Sequence, residues 1–179
     1  NGPVALPTGF TNILNDTRSP SPYESRVCYK VMGATPDTSV TVGSFMHHVS
    51  CVVLRGVDVD GTILNGTAVE IDGSSTTPNP SSITTTTDDA MVLTLFNINK
   101  AGGDTSPDGL VPSGYTQVVN DFYTFTNEFW AQINYKIVAT AGPEDPGTHP
   151  GGSYTEYCAY TVGFTPVAPT GVKSYTLNL

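Results

Sequence analysis

Charge is scarce in this chain of 179 residues: Asp, Glu, Lys and Arg together make up 13 % of it, about half the usual share. So little charge leaves few residues for solvated helix faces. Basic residues are scarcest, and seven Lys and Arg against 16 Asp and Glu give a net charge of −9. That is the wrong sign for holding phosphates, so no nucleic-acid partner is expected. No apolar run approaches the roughly 20 residues of a membrane helix, so membrane insertion is not expected either. The chain opens at Asn1 with no initiator Met, signal peptide or transit segment, as expected of the visible part of something processed or longer.

Cysteine and histidine are equally sparse. Cys28, Cys51 and Cys158 contain no C-x-x-C pair, which rules out a four-cysteine zinc site and points to three unbridged thiols. His47 and His48 are neighbours that would face opposite sides of a strand, and His149 lies in a distant Gly/Pro loop. They are read as surface or half-buried side chains. The nucleophile elbow, the P-loop and the dinucleotide fingerprint are missing. Glu24, Glu70, Glu128, Glu144 and Glu156 carry no glycosidase signature. No enzyme activity and no cofactor are expected.

The chain is instead rich in turns, with 18 Gly and 14 Pro. Apolar and β-branched residues alternate over 26–31, 39–42, 48–54, 91–98 and 131–138, each stretch bounded by turn residues. These are read as strands. The Thr-rich stretch from Asp72 to Asp89 has the composition of a linker and the alternation of an exposed strand, and is read as an ordered surface segment and not a domain boundary.

An internal repeat organises these strands. Pro7-Thr8-Gly9-Phe10-Thr11-Asn12-Ile13-Leu14-Asn15-Asp16 matches Pro112-Ser113-Gly114-Tyr115-Thr116-Gln117-Val118-Val119-Asn120-Asp121 at an offset of 105 residues. Tyr29-Lys30-Val31 then matches Tyr135-Lys136-Ile137 at 106, and Cys51 matches Cys158 at 107. Two related β units, 7–58 and 90–164, with a C-terminal extension strand at 165–179, therefore make up one expected domain over 1–179. Two half-sheets bury their apolar faces best against each other. The expected fold is all-β: a two-sheet antiparallel β-sandwich, jelly-roll-like, with an internal pseudo-duplication.

The second unit is preceded by an apolar strand, Ala90 to Phe96, for which the first unit has no counterpart. The alternating segment Lys173 to Leu179 is a candidate replacement, either within its own chain or across to a neighbouring copy.

The Pro7 to Thr11 turn, the Val27 to Val31 strand, the Val52 to Asp58 strand end, the Thr84 to Leu95 passage and the Gly114-Tyr115-Thr116 turn resemble a β-sandwich domain of tailed bacteriophages. Such domains recur in tail-fibre, tail-tip and virion-surface proteins. The resemblance spans Pro7 to about Phe164 and implies a jelly-roll-like fold with a structural or adhesive role. It implies a place on the virion surface or outside the cell, with other virion proteins, copies of the chain or a host-surface glycan as partners. It brings no catalytic motif. A secreted carbohydrate-binding module and a subunit of an extracellular filament are the alternatives.

Two constellations are candidates for contact. Asp58-Val59-Asp60-Gly61 resembles the start of a calcium loop, but Thr62, Ile63 and Val69 stand where further ligands, a Gly and a Glu would be needed. Asp58 and Asp60 are therefore weak metal candidates, and an acidic turn capped by its own backbone is the favoured reading. The run from Phe122 to Trp130 is the densest aromatic stretch. Read as one strand, it sends at least one face into the core, so core packing is the favoured reading, with Tyr123, Phe125 and Trp130 the candidates for a glycan or subunit contact as the alternative. Asn15-Asp16-Thr17 and Asn65-Gly66-Thr67 match the N-glycosylation sequon, whereas Asn79-Pro80-Ser81 does not.

Overall fold

The structure is a computed structural model that describes residues 5–16, 25–35, 37–42, 48–75, 77–100, 111–124, 128–149, 154–168 and 177–178. Among them there are strands and turns but no helix. The elements are β1 (Thr11–Asp16), β2 (Ser25–Tyr29), β3 (Val53–Leu54), β4 (Val69–Ser75), β5 (Ile83–Thr85), β6 (Ala90–Lys100), β7 (Thr116–Thr124), β8 (Glu128–Val138), β9 (Gly142–Glu144), β10 (Tyr154–Phe164) and β11 (Leu177–Asn178). All ladders are antiparallel, so the architecture is all-β and of the sandwich type. By packing, the chain divides into Asn1–Val49 and Ser50–Leu179.

The second unit is built on a five-stranded sheet in the order β4-β10-β6-β8-β7. Both faces of its centre are buried, which explains why β6 and β10 read as nearly continuous apolar runs. One face carries Phe96, Ile98, Trp130, Tyr157 and Ala159, packed together with Ile71. Further along that face Val92 and Val138 pack with Tyr115 and with Ile83 of the β5–β9 ribbon, which forms a second layer. The opposite face buries Met91, Leu93, Ile133, Tyr160 and Val162.

The first unit contains the hairpin β1–β2, and it repeats β7–β8 in detail. Pro7 O accepts from Phe10 N–H at 3.1 Å, and Pro112 O accepts from Tyr115 N–H at 3.1 Å. The third turn residue is Gly in both, Gly9 at φ 80° and Gly114 at φ 78°, as a type II turn requires. The first strand of each hairpin is interrupted at the same place, between Asn12 and Leu14 and between Gln117 and Val119. An extra residue there bends the strand and shifts which side chains face inward. Thr11 pairs with Tyr29 just as Thr116 pairs with Tyr135.

Several expectations need correction. Residues 39–42 form no strand, and of 48–54 just Val53–Leu54 does. These stretches alternate, but no described strand other than β11 pairs with them, and alternation alone makes no ladder. The described residues of the aromatic run lie not on one strand but on two, β7 and β8, where Phe122 pairs with Trp130 and Tyr123 with Phe129. The Thr-rich stretch does include a strand, β5, with Thr85 buried and Thr84 exposed. The candidate replacement strand contributes β11, and its two residues pair with Leu54 and Val53 of the same chain; residues 173–176 and 179 lie outside the described residues.

Candidate functional site

The repeated turn brings one group of side chains together twice. In the second unit, Tyr115 follows the Gly114 turn, Lys136 lies near the end of β8, and the bend after β8 returns Glu144 on β9. Lys136 donates to both Glu144 oxygens, at 2.8 and 2.9 Å, and Tyr115 donates to Oε1 at 3.1 Å. The Lys136 ammonium also stands 5.7 Å from the centre of the Tyr115 ring. Glu144 is buried, so its charge is compensated by Lys136 and by a hydrogen bond, as a buried carboxylate requires. Burial and the charges of Glu144 and Asp145 push the Tyr115 hydroxyl far above its ordinary range.

The first unit repeats this arrangement with smaller groups. Phe10 stands for Tyr115, Lys30 for Lys136, and Pro36-Asp37 aligns with Pro143-Glu144 at the same offset of 107 that relates Cys51 to Cys158. Lys30 pairs with Asp37, and its stem lies beside Gly9, where an added Cβ would approach within 3.3 Å. Here the site is open. A cleft of about 230 Å³ is bordered by Phe10, Lys30, Asp37 and Val40. The Asp37 side chain is 37 % exposed, against 8 % for Glu144.

A polar seam crosses the large sheet of the second unit. Thr161, Thr94, Asn134 and Gln117 stand opposite one another on four successive strands. Asn134 donates to Thr94 at 3.2 Å, and the neighbouring Gln132 donates to Gln117 at 2.6 Å. Gln132 also accepts from Nε2–H of His149, whose ring lies 4.5 Å from that of Phe96 and whose backbone N–H donates to Pro78 O at 2.7 Å. His149 is thus fully buried, not a surface or half-buried side chain as its Gly/Pro loop suggests. It pins the loop after β9 onto the sheet.

The other candidates serve the fold. Asp58 accepts from Gly61 N–H at 2.9 Å, which makes the acidic segment a self-capped turn, and Asp60 is exposed beside it. Asp88 accepts from Ala141 N–H at 2.8 Å. Among the described residues no three His, Cys, Asp or Glu side chains converge as a metal shell would need. Trp130 is 4 % exposed and belongs to the core, which removes it as a contact residue; Phe122, 5.4 Å away ring to ring, is the more exposed partner. The Tyr123 side chain, Phe125 and His47 lie outside the described residues. No disulfide joins Cys28, Cys51 and Cys158, and the Cys158 thiol lies 3.6 Å from Glu70.

The Asn65-Gly66 sequon is a structural clamp. Asn65 is fully buried; it accepts from Thr86 N–H at 2.6 Å and donates to Thr87 and Thr165, and its own N–H donates to Gly163 O. Its amide is committed to the fold and not presented to a modifying enzyme. The Lys136–Glu144 site had no motif of its own in the sequence; the signal that could have found it is the paired Pro36-Asp37 and Pro143-Glu144.

No protein family, curated protein or solved structure matches this chain.

Proposed function

We propose that this chain is a noncatalytic structural subunit on the surface of a tailed-phage particle, in a tail fibre, tail tip or capsid decoration. The observation that carries the noncatalytic part is how the reactive side chains are used. Tyr115, Lys136 and Glu144 bond to one another, Asp58 and Asp88 cap turns, and His149 pins a loop. Such groups hold backbone in place and leave shape and hydrogen-bonding surface as the means of action. The phage setting rests on the sequence resemblance of the turns and strand ends. The carbohydrate-module alternative loses its main aromatic anchor with the burial of Trp130.

Immunogold electron microscopy with antibody against this chain tests the reading on particles from a host that encodes it. Gold on tails or capsids is the expected result. Gold absent from every particle, with the chain present in the supernatant, would refute it.

A further inference from the structure

The two hairpins differ in what lies against them. In the second unit β6 runs along β8, with Leu93 opposite Tyr135, Val92 opposite Lys136, Met91 opposite Ile137 and Ala90 opposite Val138. Ile83 of β5 closes over Tyr115. Val138 is consequently 8 % exposed and Tyr115 6 %. The corresponding residues of the first unit are Tyr29 at the end of β2, Lys30, Val31 and Met32, which follow it outside any strand, and Phe10 at the turn. Val31 is 45 % exposed and Met32 40 %, and Phe10 borders the open cleft. Among the described residues β2 is laddered to β1 alone. Among the described residues the first hairpin thus keeps the turn, the bulge and the Lys–carboxylate pair of the second, without the strand that covers them there.

We propose that this hairpin is an acceptor for an extended apolar strand donated by another protein chain. The strand adds antiparallel at Tyr29 and draws Lys30–Met32 into the ladder, in the place that β6 takes along β8. Strand addition of this kind draws affinity from backbone hydrogen bonds and specificity from alternate side chains. The second unit defines the chemistry: a β-branched aliphatic residue opposite Lys30, as Val92 is to Lys136, and an apolar residue opposite Val31. An aliphatic side chain over Phe10 would fill the cleft as Ile83 covers Tyr115. The inference names the contact through which the proposed subunit assembles, and to that extent it rests on that reading.

A synthetic Ala90–Lys100 peptide with added lysines for solubility is the probe, and hydrogen exchange of the full chain read by mass spectrometry is the measurement. Saturable protection of Tyr29–Met32, roughly tenfold or more, is expected. A peptide carrying Val92→Asp, or a protein carrying Met32→Asp, should lose it; Met32 is exposed, and near-UV circular dichroism confirms that the variant folds. Protection of these amides by raising protein concentration without peptide also supports the proposal and identifies the donor as a second copy. No protection in either format overturns it, and so does a change confined to β8, which would mean exchange with the native β6. Protection without gold on particles would sink the virion reading and leave the acceptor standing, and gold without protection would do the reverse.

Discussion

Lys136 grips Glu144 through both carboxylate oxygens, at 2.8 and 2.9 Å, across the bend that joins β8 to β9. The counterpart pair, Lys30 and Asp37, is open to water on both sides. Removing charge from the two acids should therefore have unequal effects. Glu144→Gln should destabilise the protein by about 1–2 kcal/mol, tempered by the access of Lys136 to solvent. Asp37→Asn should change stability by less than about 1 kcal/mol. Urea unfolding of the two variants side by side checks the difference.

Tyr115 makes the same site sensitive to alkali. Its hydroxyl keeps its proton in the folded chain well above the ordinary value of 10.0, mainly because it is buried. An unfolded chain releases that proton near its ordinary value, so above pH 10 the unfolded state binds fewer protons. The resulting stability is intact below pH 10 and erodes as pH rises further. Tyrosinate absorbance should show Tyr115 among the buried tyrosines that ionise only as the chain unfolds, and Tyr115→Phe should reduce that step by one of the nine tyrosines.

The loop around Asn65 tolerates little change. A Cβ on Gly66 would stand 2.2 Å from Thr84 O, at a φ of 79° that side chains rarely adopt. Gly66→Ala should destabilise by at least about 2 kcal/mol, through strain and a clash with rigid backbone. Asn65→Ala deprives the Thr86 N–H of its acceptor and should cost about 1–3 kcal/mol. Thermal unfolding read by circular dichroism compares them with Gly33→Ala, where the added methyl meets nothing.

Trp130, the one tryptophan, reports on the core of the second unit. Its emission should be blue-shifted and poorly quenched by acrylamide in the folded chain, and should move to the red on unfolding. Trp130→Ala should cost about 3–5 kcal/mol. Strong quenching in the folded state would contradict the burial.

Turn chemistry was the most legible part of the fold. The Pro-x-Gly-aromatic-Thr turn is local, and its two copies mark both hairpins without knowledge of their neighbours. The division of Phe122 to Trp130 between β7 and β8 was hidden because no Gly or Pro punctuates that run. Val40 to Val42 alternates as a strand does, but a strand also needs a partner at its edge, which alternation cannot report. The position of His149 depends on Gln132 and Phe96, both far away in sequence. Its Gly/Pro surroundings suggested the surface because the packing that buries it is entirely long-range.

The matching bulges have a consequence beyond geometry: the molecule carries its own two-sequence alignment. Positions kept in both halves (Pro7 and Pro112, Gly9 and Gly114, Tyr29 and Tyr135, Lys30 and Lys136) identify what the hairpin cannot give up. The changes between the halves are coordinated. Phe10 with Asp37 became, or descends from, Tyr115 with Glu144: the half with a covering strand has a hydroxyl that reaches a longer acid, and the open half has neither. A duplicated ancestor whose two copies diverged, one closed by a covering strand and the other left open, accounts for that pairing of differences.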